Sequence, residues 1–342
     1  MPPTLVHIML LAGGIALLAI GGDTLIKASV TIAHKLGVST LLIGLTVVAF
    51  GTSAPELAFN TIASANGNDG LVFGNVVGSN ICNIGLILGI AAFLQPMVVH
   101  TDLVRREIPI MIGAALLMGV LAVVPLGSGP ERGYGRPEGV LMLALMLGYA
   151  WMSVAIGLRQ RAQTATIGES IEEVSADDLR RPLRVAVGLV IVALAMLTGG
   201  AKLTEMGAVG LARGLGIPDA IIGLTIVAVG TSLPELAATV VAARKRQSEL
   251  AIGNIVGSNI FNVLTIFGVS AVISPVELPE GAWVSLGVMI ALSVSLVVLS
   301  RTRSGRVSRF EGGVLLAAYA AYIAFQGYEA FAAQAGSAAG GP

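Results

Sequence analysis

The sequence predicts an all-α membrane protein: ten transmembrane helices in two inverted-topology five-helix repeats. Three observations carry that expectation. The composition is too apolar for a soluble domain, a repeat recurs at a constant spacing of 179 residues, and the basic residues keep to alternate loops.

The 342 residues are 55% hydrophobic and only 12% charged, with a mean hydropathy of +0.88. A soluble domain of this size could not hide so much apolar surface behind so few charges. Several runs reach the roughly 20 apolar residues needed to cross a hydrocarbon core about 30 Å thick. The net charge is zero, so nothing points to nucleic acid, and no obligatory protein partner is evident. The single cysteine, Cys82, lies in an apolar run and reads as a packing residue, which excludes an intrachain disulfide framework. The first 20 residues lack the basic stretch that opens a signal peptide, and they read as a retained first helix.

The repeat is long and stays in register. LGVSTLLIGLTVVAFGTSAPE, from Leu36 to Glu56, returns as LGIPDAIIGLTIVAVGTSLPE, from Leu215 to Glu235. GNVVGSNICNIGLILG, from Gly74 to Gly89, returns as GNIVGSNIFNVLTIFG, from Gly253 to Gly268. Two such matches at one offset indicate a duplication. Each half divides into five apolar segments, at about 4–21, 38–64, 70–95, 107–125 and 138–158, then 183–200, 217–243, 250–273, 282–300 and 310–326. The expected organisation is a first repeat over 1–158, a cytoplasmic linker over 159–182, a second repeat over 183–330 and a disordered tail over 331–342.

Five crossings is an odd number, so the second half must enter the bilayer from the side opposite to the first. Of the 20 Lys and Arg, all but Arg132, Arg136, Lys202 and Arg213 follow segments 1, 3, 5, 7 and 9. Positive loops stay cytoplasmic, which puts both termini on the extracytoplasmic face of a plasma (inner) membrane. Inverted repeats are a hallmark of transporters whose site lies near the midplane, where the halves meet.

Glu56 and Glu235 stand out because each lies deep in an apolar segment at the end of a GTS-x-PE motif, whereas the other carboxylates read as loop or segment-end residues. An ionised carboxylate at that depth costs at least about 2.5–3.5 kcal/mol. No Lys or Arg lies in the interiors of segments 2, 3, 7 and 8 to neutralise it, so a mobile cation can fill that role. Pro55 and Pro234 free the carbonyls four residues earlier, at Gly51 and Gly230. Thr52 and Thr231 share a helical face with the glutamates, and Ser53 and Ser232 add hydroxyls. The second motif sets Ser79 with Asn83, and Ser258 with Asn262, at i, i+4. Ligation by Ser79 and Ser258 stays open at this point, and interhelical hydrogen bonding accounts equally well for Asn75, Asn80, Asn254 and Asn259. All-oxygen donors without His or thiol suit hard cations, with Ca²⁺ accepting six to eight such ligands.

These motif pairs resemble the alpha repeats of the calcium/cation antiporter superfamily, particularly the prokaryotic sodium/calcium exchangers, over essentially the whole chain. The resemblance implies that Glu56 and Glu235 are ligands common to Ca²⁺ and Na⁺. It adds Ala49, Thr52, Ser53 and Ser79 from the first half, and Ala228, Thr231, Ser232 and Ser258 from the second. It also implies that helices 1 and 6 slide across a core built from segments 2, 3, 7 and 8. Some relatives carry aspartate at the position of Asn262, and the asparagine here argues against a potassium requirement. The expected function is a secondary active antiporter exchanging Ca²⁺ for Na⁺, not an enzyme and without a cofactor, whose partners are the two ions and the bilayer. A Ca²⁺/H⁺ antiporter is the alternative, with the same carboxylates loading protons. An intramembrane hydrolase is disfavoured because the segments offer neither a GxGD sequence nor a Ser-His dyad.

Overall fold

In the computed structural model, residues 3–124, 126, 127, 130, 132–164, 176–217, 222, 226, 228–301 and 305–339 are described. The expected crossing over 217–243 lies partly outside them, as does the linker over 165–175 and the end of the tail over 340–342. Among the described residues, six helices are long and apolar enough to cross a membrane. They become seven if the bent pair Thr40–Thr52 and Ala54–Ala65 counts as one span.

Two of these helices form the centre. In Asp69–Leu94 and Ser248–Ile273, 78% and 83% of the apolar window is buried, against 22% in Thr4–Leu36 and 28% in Leu183–Gly214. The outer helices are hydrophobic all round and leave side chains such as Ile20 and Ile191 exposed, as lipid-facing helices do. The pattern therefore separates a polar-bearing core from an apolar sheath.

The first helix runs over Pro3–Leu36, well past the stop expected near residue 21. Its 34 residues span about 50 Å, more than the hydrocarbon thickness. The Gly21–Gly22 pair does not end it, and the polar residues beyond find partners. Asp23 pairs with Lys27 one turn on and with Lys245 from the second half, both at 2.8 Å. Its counterpart Leu183–Gly214 is similarly long, and the two lie against each other along their lengths. Small residues permit that approach. A Cβ on Gly207 would lie 2.5 Å from the Leu11 nitrogen and 2.7 Å from the His7 carbonyl oxygen.

The GTS-x-PE segment is a broken helix. Ser53 leaves the helical region (φ −85°, ψ 6°), Ala54–Ala65 starts afresh, and the two pieces meet at 45°. Pro55 thus sits in the first turn of a new helix, where no N–H is required, rather than inside a continuous one. Ser232 (φ −89°, ψ 8°) and Pro234 repeat the geometry before Leu233–Arg244. The second motif ends in a π-helical turn in each half, Asn83–Leu88 and Asn262–Phe267. Widened turns of this kind recur at functional sites.

Short antiparallel strand pairs tie the halves together outside the helices. Met97–Val98 pairs with Arg306–Val307, and Gly133–Tyr134 with Val276–Glu277, so each pair takes one strand from each half. Two carboxylates expected outside the core are fully buried there. Glu107 accepts from Tyr149 Oη (2.9 Å) and pairs with Arg106; Glu138 accepts from the Leu126 and Gly135 main-chain nitrogens. Both act as anchors at helix starts. At the other end, the helix Arg309–Ala339 continues through the region expected to be disordered, as its alanine content favours.

The contact at Gly207 can be tested. Gly207→Ala should lower the thermal midpoint of the detergent-solubilised protein, by overpacking worth about 1–3 kcal/mol. Gly199→Ala, with nothing within 4 Å, should leave the midpoint unchanged or raise it.

Candidate cation-binding site

The two helix breaks deliver the glutamates to the core. Glu56 lies in the first turn of Ala54–Ala65 and Glu235 in the first turn of Leu233–Arg244. Both are 1% exposed. A helix N-terminus carries partial positive charge, which favours a carboxylate there but falls well short of neutralising one. Among the described residues, neither glutamate has a Lys, Arg or His partner.

The side chains around them exchange contacts between the halves. Ser53 Oγ donates to Glu235 Oε1 at 2.7 Å and lies 3.1 Å from Ser258 Oγ. Ser232 Oγ lies 3.4 Å from Glu56 Oε1 and 3.4 Å from Ser79 Oγ. Each glutamate is therefore met by the serine at the break of the opposite half. Ser53, Ser79, Ser232 and Ser258 are all buried.

The asparagines repeat the exchange. Asn83 Nδ2 donates to Asn259 Oδ1 at 2.9 Å, and Asn262 Nδ2 donates to Asn80 Oδ1 at 3.0 Å. With both amide nitrogens engaged in this way, Asn83 Oδ1 and Asn262 Oδ1 are left buried and without a hydrogen-bond donor. So are Glu56 Oε2, Glu235 Oε2 and Asn60 Oδ1. A buried acceptor with no donor costs about 1–3 kcal/mol, and more if it is charged. The oxygens of Glu56 and Glu235, and those of Asn83 and Asn262, are matched across the two halves, as a shared requirement would produce; Asn60 Oδ1 has no counterpart. A hard cation satisfies such atoms; apolar packing cannot.

The family is decided by comparison. The sodium/calcium exchanger protein family matches residues 6–155 and 185–328, which together make up most of the chain. The chain belongs to the sodium/calcium exchanger family. It is 37% identical to the sodium/calcium exchanger MaX1 of Methanosarcina acetivorans, over 93% of this chain and 97% of that one. It is 34% identical to the inner membrane protein YrbG of Escherichia coli, over 92% and 95%. Its fold matches a solved structure of the sodium-calcium exchanger NCX_Mj with a TM-score of 0.78 at 30% identity, covering 94% of this chain and 99% of that one. It is an all-helical, multi-pass membrane protein and a cation antiporter of this family, not an enzyme.

Of the residues singled out in this exchanger-family sequence, six form two hydrogen-bonded triads, Ser53 with Glu235 and Ser258, and Ser232 with Glu56 and Ser79. Asn83 and Asn262 make their own reciprocal amide bonds, to Asn259 and Asn80. Thr52 is buried against Asn254, while Thr231 is half-buried against Asn75. Ala49 is buried, and its carbonyl accepts from the Ser53 nitrogen at 3.1 Å. Ala228 opens the helix Ala228–Gly230. The Gly51 carbonyl, expected to be freed by Pro55, lies at the end of the helix before the break.

Asn80 and Asn259 are what residue-by-residue reading left undecided. Their place in each GSN triplet matched simple interhelical bonding. In the fold they hold the amides of Asn262 and Asn83 with the oxygens turned away from them. Asn259→Leu, nearly isosteric, removes one of these holds. The half-saturating Ca²⁺ concentration of the purified protein should rise about tenfold in equilibrium binding, with folding retained. An unchanged value would reduce Asn259 to a packing residue.

Proposed function

We propose that this chain extrudes Ca²⁺ in exchange for entering Na⁺, by alternating access to one site built on Glu56 and Glu235. The observation that carries the reading is the matched pair of buried carboxylates with no basic partner among the described residues, each with one oxygen unsatisfied. Two carboxylates balance one Ca²⁺ or two Na⁺, so both cargoes compete for one set of oxygens. Thr52, Thr231, Ser53, Ser232, Ser79, Ser258, Asn83 and Asn262 complete the donor set, with backbone oxygen from Ala49 and Ala228. Neutral oxygens in this number suit flexible Ca²⁺ coordination and exceed what Mg²⁺, which keeps its waters, would use.

The architecture of this reading is ten transmembrane helices in two inverted repeats, 1–158 and 183–330, with 159–182 as the cytoplasmic linker. Both termini lie outside the plasma membrane. The reciprocal contacts and the cross-paired strands support a two-fold relation between the halves. The exchanger named in the structural comparison supports Na⁺ and Ca²⁺ as the ions.

Ser248–Phe261 packs tightly on Thr40–Thr52: a Cβ on Gly257 would lie 2.6 Å from the Leu45 carbonyl oxygen, and Gly253 and Gly257 are buried. The outer pair Pro3–Leu36 and Leu183–Gly214 packs through small residues, a surface suited to sliding across the core.

In proteoliposomes, an imposed Na⁺ gradient should drive ⁴⁵Ca²⁺ movement, and Glu56→Gln should reduce it to the leak of protein-free vesicles. Undiminished flux in that variant would end the proposal. Calcium flux that follows a pH gradient and ignores Na⁺ would assign proton coupling instead.

A further inference from the structure

The two halves exchange contacts pair for pair, and one position breaks the exchange. One turn beyond Glu56 stands Asn60, whereas the position 179 residues on is Thr239. Both are fully buried. Asn60 Nδ2 donates to the Glu56 carbonyl oxygen at 2.8 Å and to Asn75 Oδ1 at 2.5 Å. Only the nitrogen end of an amide can face a carbonyl oxygen favourably, so the Glu56 main chain decides how Asn60 is turned. Asn60 then decides Asn75. The oxygen of Asn75 must face Asn60, which points its Nδ2 at Thr231 Oγ1, 3.3 Å away.

On the other side the chain of bonds runs in the opposite sense. Thr52 Oγ1 has acceptors for its proton in Asn254 Oδ1 at 3.2 Å, the Ala49 carbonyl at 3.4 Å and the Glu235 carboxylate. Asn254 Nδ2 then donates to Thr239 Oγ1 at 3.0 Å. Thr52 and Thr239 are hydroxyls, which donate or accept, so neither dictates the orientation of the amide between them. With Asn254 turned so that its oxygen faces Thr52, Thr52 accepts no N–H from it and keeps its lone pairs uncommitted, while Thr231 spends one on an N–H. Lone pairs are what coordinate a cation.

We propose that Asn60 is a positioning residue: acting through Asn75, it turns a hydrogen-bond donor onto Thr231 and makes that threonine the weaker cation ligand of the symmetric pair. The inference rests on the reading of Thr231 as a ligand given under Proposed function. It makes the two halves of the site unequal towards hard alkali and alkaline-earth cations, although their motifs are nearly the same. The partnerless Asn60 Oδ1 is the atom left over when the nitrogen is committed twice.

The test is equilibrium ⁴⁵Ca²⁺ binding to the purified full chain at fixed Na⁺. Asn60→Thr replaces the dictated donor by a hydroxyl and lets Asn75 present oxygen to Thr231. The half-saturating Ca²⁺ concentration should fall roughly three- to tenfold. Thr239→Asn installs the same donor opposite Asn254 and turns its nitrogen onto Thr52, so the value should rise by a similar factor. Asn60→Ser serves if the threonine variant does not fold. Opposite shifts distinguish this role from a merely structural one, which would lower thermal stability and weaken binding in both variants. Unchanged half-saturation, or shifts of the same sign, overturns the proposal. Calcium binding requires no coupling ion, so unmoved variants defeat this inference alone, whereas a wild-type protein that binds no Ca²⁺ defeats the transport reading beneath it.

Discussion

A carboxylate buried at membrane depth has to be neutralised, and Glu56 and Glu235 are buried together with no basic partner among the described residues. Much of the surrounding structure follows from that demand. The helix containing each glutamate breaks just before it, which places the carboxylate at a fresh N-terminus with main-chain N–H groups nearby. Each break also exposes a serine that serves the glutamate of the other half. Each glutamate thus takes its serine partner from the other half, and the two halves are interlocked at their centre.

The remaining oxygens are arranged by a layer of amides behind them. Asn80 and Asn259 engage the nitrogens of Asn262 and Asn83 and leave their oxygens without a donor. An amide is ambivalent, presenting a donor and an acceptor a short rotation apart. A second amide removes the ambivalence without adding charge, which matters where every extra charge would need its own counter-ion. Ion pairing, by contrast, is found towards the ends of the helices. Asp23 with Lys27 and Lys245, and Glu107 with Arg106, hold helix ends and starts rather than the centre.

Much of this could be read without coordinates. The repeat, the two intramembrane glutamates, the serines at the motif ends and the all-oxygen character of the site stand in the residues themselves, and the structure brings the named Glu, Ser and Asn side chains together. Other features were not legible. Glu107 and Glu138 looked like loop residues because they begin helices next to polar stretches; only their partners, Tyr149 and the Leu126 and Gly135 nitrogens, show them to be buried anchors. The first helix was cut short because Asp23 and Lys27 resemble a boundary. Their charges are satisfied by each other and by Lys245, which is remote in sequence. Pro55 read as a kink in one helix, but it starts another, because the residue before Ala54 leaves the helical region altogether.

By itself the sequence determined the membrane solvent, the duplicated halves and the pair of acidic side chains within apolar segments. All of these depend on composition and spacing along the chain, which survive without knowledge of contacts. The tertiary structure alone decided which serine serves which glutamate and which amides turn their oxygens free. Those outcomes hang on partners 176 to 182 residues apart, such as Asn83 with Asn259, Ser53 with Glu235 and Asn262 with Asn80. Orientation of a hydrogen-bonding group is a property of its neighbours in space, and no local pattern records it.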